Sequence, residues 1–316
     1  MSIGALAAGL VVLTLGLPLW AGLAVLVDIA RRHFRLPVTR LVLFAVAWCW
    51  IESAGVVGLF LLWVTGRAGH ARPHYALQRW WCGAIISALR MTVGLRLDIQ
   101  VAEPGPRGPF VVLCRHASLA DSIISCFVVS NMMGLAPRYV LKTELQAMPC
   151  LDILGHRTPN AFIRRGSADV RSELGQLEAM ASGMGPGDAA VIFPEGSRSN
   201  DAKRARELAR LEARHPHRHA ALSGLRHLIP PKPAGALALL RAAPGADILT
   251  LWHEGLDGLD TFRGMIRELS ARRVTARFRA VVHPRANVPC DDGFEAWLDA
   301  RWVEIDAQVA ALATAR

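Results

Sequence analysis

No two of the six cysteines stand close together. Cys49, Cys82, Cys114, Cys126, Cys150 and Cys290 keep no metal-ligand or redox spacing, which predicts reduced, mostly buried thiols. A Gly-x-Ser-x-Gly segment is also absent, and with it the nucleophile elbow expected of a serine hydrolase or thioesterase. Charge is missing from residues 3–27, and residues 41–66 carry Glu52 alone. Each run is long enough to cross a hydrocarbon core of about 30 Å. A cleaved signal peptide does not fit, because no positive residue precedes the first run and the run exceeds an ordinary signal core. The two runs locate the surplus behind a hydrophobic fraction of 52% and a mean hydropathy of +0.29. They mark residues 1–70 as a hydrophobic two-helix membrane anchor and leave 71–316 as one further domain.

Two geometries of the anchor stay open. Pro18 interrupts the first run, and Glu52 falls near the middle of the second, where an ionised carboxylate costs a few kcal/mol unless it faces protein or stays protonated. The connector 31–40 holds four arginines and residues 66–79 hold three, so the positive-inside rule does not choose an orientation. Both a spanning hairpin and one that dips into a single leaflet satisfy these facts.

A formal charge of +10 and a pI near 10.2 invite a nucleic-acid partner. The arginines, however, lie scattered beside apolar runs and not on a recognition motif. Anionic lipid head groups account for them better. Residues 201–219 form a charged segment with His215, His217 and His219 in alternation; no carboxylate or cysteine is spaced to complete a metal site, and a basic helix at the lipid surface is the expectation. Gly183, Gly185 and Gly187 imitate a nucleotide loop but follow a helix, so they read as a turn.

The rest of the chain alternates strand and helix, the rhythm of an α/β fold. Residues 75–93 read as an amphipathic helix and 95–101 as a strand. Residues 110–121 begin as an apolar, β-branched strand and end in polar residues, with His116 at the strand's end and Asp121 at the start of a helix over 120–129. That turn would bring His116 and Asp121 within hydrogen-bond reach, so that the carboxylate fixes the tautomer and the other ring nitrogen accepts a proton. Residues 138–155 start as a strand, 161–165 end one, and 169–182 form a helix. Residues 191–199 repeat the strand-to-turn pattern with Glu195, Gly196, Ser197 and Arg198. The last strands fall at 248–253 and 274–282, and an amphipathic helix closes the chain at 294–312.

In combination these residues resemble the glycerophospholipid acyltransferase family, whose best-known activity is 1-acyl-sn-glycerol-3-phosphate acylation. His116 and Asp121 match its first motif, a His and an Asp separated by four residues. Residues 193–198, Phe-Pro-Glu-Gly-Ser-Arg, match the third. Arg165, at the end of Ala-Phe-Ile-Arg-Arg, matches the second, and Lys142, Glu144, Leu145, Pro149 and Gly155 match the stretch before it. Pro231, Lys232 and Gly235 match the fourth in its lysocardiolipin-type form, with Lys for the usual Arg and Ala236 for the usual aromatic. Four motifs in the right order are far more specific than any one.

The resemblance implies a mixed sheet flanked by helices, with the hydrophobic two-helix anchor in front, at a membrane and on the cytoplasmic side of the inner one. It implies O-acyl transfer from acyl-CoA or an acyl carrier protein to a lysophospholipid hydroxyl, first of all 1-acylglycerol-3-phosphate, with no bound cofactor or metal. His116 would be the base and Asp121 its partner. Arg165 and Arg198 would grip the acceptor's phosphate, Glu195, Gly196 and Ser197 shape the turn and meet the acceptor, and Pro231 and Lys232 line the pocket. Competing readings are a remodelling or lyso-aminolipid acyltransferase and, outside the class, a thioesterase or a non-catalytic lipid-binding protein.

Overall fold

The computed structural model describes residues 3–101, 108–164 and 169–314. Four helices come first: α1 (Ile3–Leu15), α2 (Leu17–Ala30), α3 (Pro37–Val64) and α4 (Ala71–Ala88), which runs into a π-helical turn at Leu89–Val93. Strands and helices then alternate: β1 (Arg96–Val101), β2 (Phe110–Cys114), α5 (Asp121–Cys126), β3 (Ala136–Lys142), α6 (Pro149–Arg157), β4 (Ala161–Ile163), α7 (Val170–Ala181) and β5 (Asp188–Ile192). They continue with α8 (Asp201–Arg214), α9 (Pro216–Leu222), α10 (Pro233–Ala242), β6 (Asp247–Glu254), α11 (Phe262–Ala271), β7 (Thr275–His283) and α12 (Gly293–Thr314).

The strands form one sheet in the order β1-β7-β6-β2-β5-β3-β4. All neighbours are parallel except β6 and β7, so the sheet is mixed, as expected. Because β2, β3, β5 and β6 point the same way, their carboxyl ends share one edge of the sheet, where ligands of open α/β sheets bind. Every residue of β2 is buried. Its period of two sends Val112 and Cys114 into a core with Trp81 and Ile85 of α4, and Val111 and Leu113 into a second core with Leu239 of α10 and Trp302 of α12. Each such side chain stabilises the fold by roughly 1.5–3 kcal/mol on burial. The strand that delivers His116 is therefore clamped from both faces.

The N-terminal helices depart from two simple rods. The first apolar run bends by 70° between α1 and α2. The break is at Gly16, where a Cβ would stand 2.4 Å from the Trp20 ring nitrogen, and not at Pro18, which sits in the first turn of α2 where no N–H is needed. Asp28, fully buried near the end of α2, accepts from the backbone of Val38 and Thr39 and from the Thr39 hydroxyl at 2.9–3.2 Å. This carboxylate satisfies the orphan donors at the start of α3, as a capping residue would. The helix α3, at 28 residues, is long and apolar enough to cross a membrane by length and composition. Val57, Phe60, Leu61, Trp63 and Val64 are all more than half exposed along it, whereas Glu52 is buried and accepts from Trp81 Nε1 at 3.0 Å and from Cys150 N at 3.3 Å. Gly55 leaves room for Cys150, whose sulfur would lie 2.5 Å from a Cβ there. One side of α3 is thus packed onto α4 and α6.

Sequence pattern and structure differ in the helix after His116. An uninterrupted α-helix over 120–129 was the expectation; the α-helical part ends at Cys126 and a π-helical turn, Phe127–Met132, follows. The charged segment 201–219 is two helices, broken before Pro216, with Asn200 capping the first by accepting from Lys203 N at 2.9 Å.

Candidate active site

The carboxyl ends of β2 and β6 converge on one carboxylate. His116 lies two residues beyond β2, and its Nδ1 is 3.0 Å from Asp121 Oδ2 at the start of α5. The same oxygen accepts the backbone N–H groups of Ala117 at 2.5 Å and Ser118 at 2.7 Å, and Oδ1 accepts the Ser118 hydroxyl. Asp121 is therefore fixed by the turn that it starts, and an ionised Asp121 requires the His116 tautomer with hydrogen on Nδ1, leaving Nε2 as the acceptor. Burial pushes the Asp121 carboxyl upward, but the imidazoles of His253 and His116 outweigh it and hold the group well below the usual carboxylate range. Burial lowers His116 in turn; Asp121 opposes that shift, and the nearby cations Lys142 and Arg198 add to it. A neutral imidazole held in this way at Nδ1 has the chemistry to accept a proton at Nε2 near neutral pH.

The turn after β5 supports that imidazole from the other side. The Phe193 ring lies 4.6 Å from the His116 ring, centroid to centroid. Glu195 Oε1 accepts His116 N at 2.7 Å, Oε2 accepts Ile229 N at 3.1 Å, and the group is buried. Burial pushes its pKa up to about 8 against the opposing pull of the His116 N–H, Arg115 and the Ile229 N–H. With each oxygen accepting a backbone N–H, Glu195 braces the turn. Gly196 takes φ of +66°, a left-handed conformation that glycine adopts without strain. Ser199 N donates to His116 O at 2.7 Å, stitching the two turns together.

Two cations lie on this turn without a hydrogen bond or ion pair for their charged ends among the described residues. Arg198 is half-buried and close enough to affect His116. Lys232 is exposed; its stem lies against Gly196, with Nζ 3.5 Å from where a Cβ would stand, and its N–H donates to Pro194 O at 2.8 Å. Ser197 is half-buried on the same turn. Pro231 is buried, and its carbonyl accepts from Arg218, which also grips Asp299 at 2.6 and 2.7 Å. Arg165 lies outside the described residues. The structure thus brings together His116, Asp121, Glu195, Gly196, Ser197, Arg198, Pro231 and Lys232.

Two residues of this site were not singled out from the sequence. His253, read only as the end of a strand, is buried on β6 with Nε2 3.2 Å from Asp121 Oδ1. Arg115, read as part of the polar end of a strand, is buried; it donates to the His253 carbonyl and to Asp257. Both contacts span more than a hundred residues of chain, and no local spacing encodes them.

Residues 96–253 match the family described as Acyltransferase. This chain belongs to that family. A relative from Pseudomonas aeruginosa, lyso-ornithine lipid O-acyltransferase, is 30% identical over 162 residues, which make up 48% of this chain and 57% of that protein. The crystal structure of the 1-acyl-sn-glycerophosphate acyltransferase PlsC from Thermotoga maritima shares the fold, with a TM-score of 0.54 and 14% identity over 87% of this chain and 96% of that one.

Proposed function

We propose that this acyltransferase moves a fatty acyl group from a thioester to the free hydroxyl of a lysophospholipid-type lipid at a membrane surface. The observation that carries the reading is the His116–Asp121 pair at 3.0 Å, with Nε2 left to accept a proton. The acceptor hydroxyl attacks the thioester carbonyl as His116 Nε2 takes its proton. The tetrahedral intermediate collapses to an ester, and the departing thiolate recovers that proton from the imidazolium. General-base assistance of this kind contributes about 10²- to 10⁴-fold in rate.

A phosphate-bearing acceptor, 1-acylglycerol-3-phosphate above all, is the reading favoured by Arg198 and Lys232, whose charged ends have no ion-pair partner among the described residues. Arg165 is proposed as a further phosphate ligand from its place in the second motif. The Pseudomonas relative supports a second reading, a lyso-aminolipid acceptor, since ornithine brings an amine and no phosphate. For the thioester, acyl-CoA or acyl carrier protein, a groove of about 360 Å³ reaches away from Lys232 between Arg210, Arg214, His215 and Arg218, with Glu207 on its wall. Its basic lining suits the phosphates on the thiol half of the donor. The exposed apolar side chains of α1, α2 and α3 support a membrane anchor, and the arginines of 31–40 and 66–79 support seating on anionic lipid at the cytoplasmic face.

Membranes carrying the chain, supplied with radiolabelled acyl thioester and a panel of lyso-lipids, test the reading. Label is expected in the diacyl product of one acceptor and to be lost with His116→Ala. Release of free fatty acid at the same rate with and without acceptor would instead identify a thioesterase, and no turnover with any acceptor a lipid-binding protein.

A further inference from the structure

The base and its carboxylate are not alone. His253 projects from the penultimate position of β6, buried under the Phe278 ring of β7 at 4.9 Å between centroids. Its backbone carbonyl is held by Arg115, whose guanidinium also pairs with Asp257. This clamp fixes the strand end, and the ring is left with Nε2 3.2 Å from Asp121 Oδ1. Neither ring nitrogen makes an aligned hydrogen bond among the described residues, though both are buried. A buried imidazole without an aligned partner costs stability, because its desolvation is not repaid by a hydrogen bond. Apolar side chains would fill that space at less cost, so the imidazole has a task.

Asp121 sits between two imidazoles, one on each oxygen: His116 on Oδ2 and His253 on Oδ1. The carboxylate can support positive charge on either ring. What it gives to one it withholds from the other, because interactions at about 3 Å in a dry site are strong and mutually dependent. We propose that His253 is a positioning residue that divides the Asp121 charge, so that His116 is held as a free base and not locked as an imidazolium. The role rests on the acyl-transfer reading for its purpose, but its physical content, the coupling of two imidazoles through one carboxylate, does not. His253 touches no reacting atom in this assignment.

The other charged or titratable groups around the pair are accounted for. Arg115 and Cys114 face it from the end of β2, Glu195 from the turn after β5, Asp257 from the loop after β6, and Lys142 and Arg198 from the side of His116. None of these stands between His253 and Asp121. Removing the His253 ring leaves the whole carboxylate to His116, which stabilises the imidazolium. His116 must then become harder to deprotonate.

The test is His253→Phe, which keeps the ring shape, with His253→Gln as a second variant that retains a polar group of similar reach. In detergent-solubilised full-length protein, carbethoxylation of His116 by diethyl pyrocarbonate is followed against pH by mass spectrometry, with no substrate present. The midpoint is expected to rise by about half a unit to one unit in the Phe variant and by less in the Gln variant. In assays with saturating lyso-lipid the acid limb of kcat should rise in step, which lowers the rate on that limb by roughly three- to tenfold. An unchanged midpoint in both variants, with or without lower kcat, would reduce His253 to packing and overturn the proposal. A midpoint that rises while no acyl transfer is found with any acceptor would uphold the coupling and defeat only the acyl-transfer reading.

Discussion

Glu195 Oε1 accepts the backbone N–H of His116 at 2.7 Å. Through this bond, and the one from Ile229 N to Oε2 at 3.1 Å, a single buried carboxyl group ties together the turns after β2 and β5 and the approach to α10. The Glu of the third motif is therefore a structural keystone of the turn that carries His116.

Burial raises the Glu195 pKa from 4.5 to about 8, despite Arg115 and the two N–H groups. The folded chain thus holds this proton more tightly than the unfolded chain does, and stability from this group is present below about pH 4.5 and lost as pH rises toward 8. Glu195→Gln should flatten that part of the profile. It should also lower stability overall by about 1–3 kcal/mol, since a Gln amide turns an N–H toward one of the two N–H donors. Thermal unfolding in detergent from pH 5 to 9 checks both; equal slopes in the two proteins would show that Glu195 titrates normally.

His116→Ala should lower acyl transfer by about 10²- to 10⁴-fold while leaving the protein in the membrane fraction, since the base acts only in the chemistry. Asp121→Asn is expected to be costlier to the fold. Oδ2 accepts His116 and two backbone N–H groups, and an Asn amide can offer an oxygen to only one side. Rates and melting temperatures measured together separate the two effects. Near wild-type turnover by purified His116→Ala would end the general-base assignment.

Arg198→Ala should raise the acceptor KM far more than the thioester KM, because a guanidinium gripping a phosphate contributes about 1.5–3 kcal/mol. That is roughly ten- to over a hundredfold in binding. Lysine should restore only part, lacking the planar fork. Arg198 also helps to lower the His116 pKa, so its removal should move the acid limb of the rate profile to higher pH. A weakened thioester KM beside an unchanged acceptor KM would transfer Arg198 to the other substrate.

Removal of residues 1–70 tests how separable the anchor is. The uncharged runs contain none of the four motifs. In the structure Trp81, Cys150 and Leu59 share one core, and Glu52 takes hydrogen bonds from Trp81 and Cys150. The truncated protein is therefore expected to expose apolar surface and aggregate. Sharp cooperative melting of a soluble 71–316 fragment would show that this contact is dispensable.

These cases mark what the sequence could disclose. His116 and Asp121 lie five positions apart on one strand–turn–helix unit, so local pattern was enough to pair them. The third motif likewise carries its turn in Glu195 and Gly196. Asp28 with Thr39, Glu52 with Trp81, Arg115 with Asp257 and Asp121 with His253 are different in kind. Each joins residues brought together by packing, and either member alone reads as an ordinary polar residue at a helix or strand end. Glu52 shows the point best: its cost in an apolar run was visible, but the indole and the backbone N–H that accommodate it lie on other helices.

The groove between α8, α9 and the fourth motif supplies the last prediction. Its cations, Arg210 and Arg214, stand on exposed surface, so each contact with a donor phosphate is expected to contribute at most about 1 kcal/mol, roughly two- to fivefold in KM. The double variant Arg210→Ala, Arg214→Ala should raise the acyl-CoA KM by the product of the two, and the effect should fade with added salt because exposed charges are screened. The same variant should leave the KM for an acyl N-acetylcysteamine thioester, which carries no phosphate, where it was. It should also leave the acceptor KM unchanged, which distinguishes this groove from Arg198. If the acyl-CoA KM is unmoved and the protein instead binds anionic vesicles less well, α8 is a lipid-facing helix and the groove has no part in holding the donor.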